Sequence, residues 1–331
     1  MKKIYMYGVS EQEKDLAIAW GKDNNIELFL DNEILMDNTA DRCKGYDGVS
    51  TYQYTRLDDS VYEKLNSFGI KNIAQRMAGF DPYNLKLATK NNIIISNVPA
   101  YSPESIAEYT VGQAINGIRN LYTVYKNSKN HDFRETMSIR GRRIGDKTVA
   151  ILGTGRIGQA TAHLFHGLGC KVIGFDVYKN DKIKDILVYK DTVEDAIKEA
   201  DIISLHMPAT EDNYHILNEN TLKLCKKDAI IINAARGVLV DTEALLNSLD
   251  NGHISFAALD TYENEFEYVK NNYSDTPITD KTFIKLLHHP KVSYTPHIAY
   301  YTDESVKNMI FHALNATKEV IETGNTSLRV N

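Results

Sequence analysis

Six residues, Gly153-Thr154-Gly155-Arg156-Ile157-Gly158, constrain this chain more than any other segment. A GxGxxG string alone is common. Here it follows the apolar run TVAIL (148–152) and opens a stretch with helical periodicity. The next apolar run, KVIGFD (171–176), ends on Asp176, about 20 residues further on. Strand, glycine turn, helix, strand and acid in that order mark a dinucleotide-binding βαβ unit. Gly153 permits the tight turn. Gly155 lets the backbone approach a pyrophosphate, which the helix N-terminus attracts. Gly158 lets the helix pack closely on the strand. Asp176 accepts from the adenosine 2′-hydroxyl and repels a 2′-phosphate, which points to NAD rather than NADP.

The same rhythm continues. DIISLH (201–206), AIIIN (229–233), FAALD (256–260) and VSYT (292–295) are short apolar runs with little polar alternation, as in strands buried on both faces. Helical patterns lie between most of them, over Thr192 to Glu199 and over Asp241 to Leu249. This predicts a doubly wound parallel α/β sheet. The 331 residues suit about two domains. The first hundred residues carry a weaker version of the rhythm, with apolar runs at 4–7, 49–52 and 93–96. NVPAYSPESIAEYT (97–110) reads as a junction, with Ser102-Pro103 suited to start a helix. A last helix is expected from Thr302 to about Thr323, with no strand after it; the pattern does not say which domain it joins.

Charge narrows the function classes. Lys and Arg number 38 against 44 Asp and Glu, a net charge of −6, so nucleic acid and anionic membranes are poor partners. Cys43, Cys170 and Cys225 are scattered and form no CxxC pair, so neither a disulfide framework nor a zinc site is expected. No apolar stretch approaches the length of about 18 residues needed to cross a bilayer. MKKIYMYGVS lacks the apolar run of a signal peptide, which leaves the cytoplasm as the default location.

Ten histidines are candidates for acid–base work. His163 and His166 fall on the helix after the glycine turn and read as packed or solvated. His288-His289-Pro290 reads as a loop, and no ligand set for a metal is found. His206 (SLHMP) and His297 (SYTPHIA) lie at the C-terminal ends of predicted parallel strands, where such sheets bind ligands; the pattern does not rank them. Arg236, in NAARGVLVD just past a strand, is suited to clamp a carboxylate with two hydrogen bonds. Glu265, in the acidic stretch TYENEFEY, could fix the tautomer of an imidazole and favour its charged form. The run Arg140-Gly141-Arg142-Arg143 reads as a solvated turn.

Together NVPAYSPESIAEYT, GTGRIGQ, SLHMP, NAARGVLVDTEAL, ALDTYENE and TPHIAYYT make the chain resemble, over nearly its full length, the D-isomer-specific 2-hydroxyacid dehydrogenases, most closely the branch acting on D-lactate. The resemblance implies two doubly wound parallel-sheet domains, with a Rossmann NAD-binding domain (101–299) inserted into a split, flavodoxin-like catalytic domain (1–100 and 300–331). It implies that His297 is the acid–base, paired with Glu265, and that Arg236 holds the substrate. Ala78, Gly79 and Tyr101 fall on positions that reach the substrate carboxylate, and Tyr52 and Tyr300 on positions that line its side-chain pocket. The NAD site is implied at Gly153, Thr154, Gly155, Arg156, Ile157, Gly158 and Asp176, with His206, Met207, Pro208, Ala234, Ala235 and Asp260. QRMAGFD departs from the RNVGVD-like string common in relatives, which bears on pocket shape. A 2-oxo acid such as pyruvate is expected to bind between the domains of a homodimer joined through the NAD domain. A D-2-hydroxyisocaproate dehydrogenase is the alternative enzyme. An NAD-sensing corepressor is the alternative of another class, against which the absence of a basic or disordered extension argues.

Overall fold

The computed structural model describes residues 1–331. They form two compact units, Met1–Ser102 with Tyr301–Asn331, and Pro103–Tyr300. Tyr101 therefore belongs to the first unit and Tyr300 to the second.

In the first unit the strands are β1 (Lys2–Tyr7), β2 (Ile26–Leu30), β3 (Gly48–Thr51), β4 (Asn72–Gln75) and β5 (Ile94–Ser96). They are parallel in the order β2-β1-β3-β4-β5, the flavodoxin-like order. Alternation along β1 divides the core. Tyr5 and Tyr7 pack with Val49, Tyr62, Leu65 and Ile73 on one face; Ile4 and Met6 pack with Ala17 and Trp20 on the other. Helix α1 (Glu11–Asn24) is started by Ser10 and Glu13, which satisfy each other's backbone N–H. Helices α2 (Asp59–Ser67) and α3 (Leu85–Lys90) follow β3 and β4. Strand β4 has no apolar signature because its ends are polar and fully buried. Asn72 Nδ2 donates to Val49 O, and Gln75 Nε2 donates to Gln53 O at 2.7 Å.

The second unit opens with α4 (Pro103–Ile118) and α5 (Leu121–Lys129). Its sheet then winds through β6 (Thr148–Leu152), α6 (Arg156–Gly167), β7 (Lys171–Phe175), β8 (Val188–Tyr189), α7 (Val193–Glu199), β9 (Ile202–Leu205), α8 (Glu219–Leu224), β10 (Ala229–Asn233), α9 (Thr242–Asp250), β11 (Ile254–Leu259), α10 (Lys281–His288) and β12 (Val292–Tyr294). All strands are parallel, in the order β12-β11-β10-β9-β6-β7-β8. Order reverses beside β6, where such sheets bind ligands. Helices cover both faces. Ala150, Ile203 and Ile231 meet Leu245 and Leu249 on one side; Val149, Ile202 and Ile230 meet Ala162 and Phe165 on the other. This two-sided burial is why AIIIN has no polar alternation.

The last helix, α11 (Asp303–Thr323), joins the first unit, which the sequence pattern left open. Ile310 and Leu314 pack on Ile4 and Met6, and Trp20 Nε1 donates to Asn315 Oδ1 at 2.9 Å. As expected, no strand follows it, but the tail pairs through one isolated bridge. Arg329 bridges Ser96 antiparallel, and Val330 N donates to Ile95 O, because β5 otherwise leaves an unpaired edge. The loop expected at His288–Pro290 holds for His289 and Pro290 but not for His288. His288 closes α10, and the buried His289 sits 3.2 Å from Asp250. All three cysteines are buried and free, and burial pushes Cys43 up to about 11. No helix is long and apolar enough to cross a membrane.

Candidate active site

The glycine turn links β6 to α6. Gly153 has φ +94°, and a Cβ there would lie 2.7 Å from Met207 N, so no other residue fits. A Cβ on Gly158 would strike Gly153 O. Around Gly155, by contrast, nothing lies within 4 Å; the backbone at the start of α6 faces open space. Just past β7, Asp176 Oδ2 accepts from Thr154 N at 2.6 Å and Thr154 Oγ1 at 3.0 Å, and its Oδ1 accepts from Tyr178 N. Tyr189, which carried no sequence signal, places its hydroxyl 2.8 Å from Thr154 Oγ1. An open cradle of backbone amides, a helix N-terminus and a fixed carboxylate suit the pyrophosphate and ribose of a dinucleotide.

Three further loops leave the same end of the sheet. After β9, His206 is only partly covered as a residue, yet its Nδ1 is sealed from solvent without a partner and its Nε2 lies 2.8 Å from Ser204 Oγ. Burial of the ring nitrogens pushes its pKa down to about 3, so this ring is neutral near pH 7 and no proton donor. Met207 and Pro208 continue that loop. After β10, the buried Asn233 shapes the turn, accepting from Ala235 N and donating to Arg236 O at 2.8 Å. Ala234 and Ala235 lead to Arg236, whose Nη1 donates to Ala235 O.

After β11 comes Asp260. Its carboxylate accepts from Thr295 Oγ1, Ile298 N and Ala299 N, and its backbone oxygen accepts from His297 N at 2.8 Å. Burial pushes this carboxyl up, against the pull of those hydrogen bonds. Together they hold His297 at φ +57°, a left-handed conformation costly for a non-glycine residue. His297 Nδ1 lies 2.9 Å from Glu265 Oε1. Glu265 is 5% exposed, and its other oxygen accepts from Tyr262 N. Nδ1 is thus engaged, while Nε2 bonds to nothing within the chain. The geometry separates the two histidines that the sequence pattern could not rank.

In the first unit, Met77-Ala78-Gly79 follow β4. Ala78 O accepts from Asn97 Nδ2 and Gly79 O from Gln75 Nε2, while the amides of Ala78 and Gly79 donate to nothing in the chain. The neighbouring Arg76, missed from sequence, is wholly buried, donates to Tyr7 O and Gly8 O at 2.8 Å and pairs with Glu13. Tyr52 is buried just past β3, with its ring 6.5 Å from that of Tyr54. Tyr101 O accepts from Asn308 Nδ2. Tyr300 is half-buried in the second unit. Nowhere do three or more His, Cys, Asp or Glu residues group as metal ligands.

Residues 111–299 match the model of the D-isomer specific 2-hydroxyacid dehydrogenase NAD-binding domain. The chain is 51% identical to a D-lactate dehydrogenase of Streptococcus pyogenes serotype M1, over 99% of this chain and all of the relative. It is 46% identical to one from Staphylococcus aureus MRSA252, over the full length of both. Among solved structures, a D-2-hydroxyisocaproate dehydrogenase matches with TM-score 0.94 at 36% identity. The D-lactate dehydrogenase of Lactobacillus jensenii with NAD+ matches at 0.92 and 37%. Both cover 99% of each chain.

Proposed function

The chain belongs to the D-isomer specific 2-hydroxyacid dehydrogenase family, and on that premise we propose that it is an NAD-dependent D-lactate dehydrogenase, reducing pyruvate with NADH and running in reverse on D-lactate. The observation that carries the catalytic reading is the His297–Glu265 pair, at the end of the sheet that also bears the dinucleotide turn. Arg236 binds the substrate carboxylate and polarises the neighbouring carbonyl. His297, as imidazolium, gives the Nε2 proton to the developing alkoxide, and takes it back in oxidation. Glu265 fixes the tautomer and orientation of the ring. When bound, the nicotinamide supplies the hydride. Gly153 to Gly158 hold the pyrophosphate and Asp176 the ribose; His206, Met207, Pro208, Ala234, Ala235 and Asp260 line the rest of the cofactor. Tyr300 lines the side-chain pocket.

The first unit is read as the catalytic domain and the second as the NAD-binding domain. The amides of Ala78 and Gly79, together with Tyr101, serve the substrate carboxylate, and Tyr52 limits the side chain to a methyl group. The test is NADH consumption with 2-oxo acids of increasing size. Pyruvate is expected to have the highest kcat/KM; a maximum at 2-oxoisocaproate would make the chain a D-2-hydroxyisocaproate dehydrogenase instead. Tyr52→Leu should move the ratio of these two kcat/KM values toward the larger acid by about 10- to 200-fold, the worth of a few methylenes in a pocket. An unmoved ratio removes Tyr52 from the pocket wall. Asp176→Ala should weaken NADH binding by about 10- to 100-fold, as for loss of a hydrogen bond to a charged group, and narrow the preference over NADPH. Steady-state kinetics with both cofactors decides it; unchanged discrimination takes Asp176 out of the ribose site.

Homodimer formation through the second unit is part of this reading. Helix α5 buries none of its residues, and Tyr125, Phe133 and Met137 stand 61%, 78% and 74% exposed. Light scattering should give about twice the 37.4 kDa of one chain; a monomer contradicts it. A cytoplasmic location completes the reading, and cell fractionation checks it.

A further inference from the structure

His215 and Glu263 lie outside every group assigned above, yet they meet where three loops converge. His215 Nε2 is 2.8 Å from Glu263 Oε2, and Glu263 Oε1 accepts from Thr242 N at 2.9 Å. His215 sits in the loop after β9. Thr242 opens α9, at the end of the turn that begins with Arg236. Glu263 sits two residues before Glu265 in the loop after β11. One carboxylate therefore joins the exits of three neighbouring strands of the sheet.

The surrounding backbone is built to the same end. His215 N donates to Val238 O, Leu217 N to Leu239 O, and Asp241 N to Leu217 O. The turn after Arg236 presses on the Glu263 backbone so closely that a Cβ on Gly237 would lie 2.2 Å from the carbonyl carbon of Tyr262. Tyr262 N in turn donates to Glu265. His215 is held at φ +50°, the same left-handed region as His297, while Tyr214 stacks on its ring at 3.9 Å. Strain of this kind persists only where its surroundings over-determine it. His215 and Glu263 are both about four-fifths buried, where desolvating a charged pair is costly and a plain apolar contact would join loops as well. What the pair adds over an apolar contact is direction.

We infer that Glu263, oriented by His215, is a positioning residue that sets the turn bearing Arg236 against the turn bearing Glu265. The inference rests on the proposed roles of Arg236 and Glu265. Loss of the tie leaves the dinucleotide turn and Asp176 untouched and loosens the loops that carry Arg236 and Glu265. Its mark is a substrate defect larger than the cofactor defect.

The experiment compares the full-length wild type with Glu263→Ala, His215→Ala, the double variant and His215→Gln, whose amide nitrogen can stand in for Nε2. Glu263→Ala and His215→Ala should each raise KM for pyruvate and lower kcat/KM by about 10-fold, with the double variant no worse than the worse single one, as for a coupled pair. NADH affinity, read by fluorescence, should fall far less than kcat/KM for pyruvate, because the Gly153–Gly158 turn and Asp176 are untouched, and His215→Gln should recover most of the loss. Hydrogen exchange should quicken at 237–240 and 262–265 in Glu263→Ala. Additive losses, equal losses in NADH and pyruvate binding, or quickened exchange with unchanged kcat/KM overturn the positioning role. A wild type that turns over no 2-oxo acid overturns the functional reading instead, and the exchange data then decide by themselves whether the tie exists.

Discussion

Replacing His297 with Gln lowers the rate of pyruvate reduction by about 10²–10⁴-fold, the usual loss on removing a positioned general acid–base. NADH binding is unaffected, because His297 lies on the β12 exit while the dinucleotide turn lies on that of β6. The companion variant is Glu265→Gln, which keeps shape and removes charge. Reduction gives a proton to the alkoxide and oxidation takes it back, both through Nε2. Glu265 Oε1, 2.9 Å from Nδ1, fixes the ring that carries it. Glu265→Gln should therefore lower kcat in both directions while NADH affinity holds, read by steady-state kinetics run forward and in reverse. Full activity in both directions would assign the partnership to some other carboxylate.

Arg236→Gln carries the second large effect. A guanidinium gives a carboxylate two charge-assisted hydrogen bonds, each worth about 1.5–3 kcal/mol. Losing both lowers kcat/KM for pyruvate on the order of 10²–10⁴-fold. Arg236→Lys recovers only part, because an ammonium supplies charge without the planar fork. Oxamate, a non-reacting 2-oxo acid analogue, should lose affinity for the enzyme–NADH complex in parallel. If oxamate binds both variants as it binds the wild type, Arg236 is a loop arginine and the carboxylate is held elsewhere.

What could be read without coordinates follows from how each element earns its stability. Strand β10 was legible because helices cover both faces, every position of AIIIN is buried and all but the last, Asn233, are apolar. Strand β4 was not, because Asn72 and Gln75 are buried through side-chain hydrogen bonds to distant backbone, which leave no local pattern. The glycine turn was legible because its requirement is steric and local. His206 and His297 were equivalent by position at strand ends. Residue pattern did not separate them, and only the family resemblance favoured His297; the geometry adds a difference in surroundings, one ring sealed at Nδ1 and pushed toward neutrality by burial, the other facing a buried carboxylate. Arg76, Tyr189 and the His215–Glu263 pair were illegible because their partners come from loops remote in sequence. Nothing in YHILN or TYENE says that the two segments touch.

The most direct test of the central claim is the configuration of the product. Wild-type protein is given pyruvate and NADH, and the lactate formed is resolved by chiral chromatography. The account predicts D-lactate alone, formed at a rate that falls by about 10²–10⁴-fold in His297→Gln. L-lactate, a racemic mixture, or the same rate in the variant would contradict it.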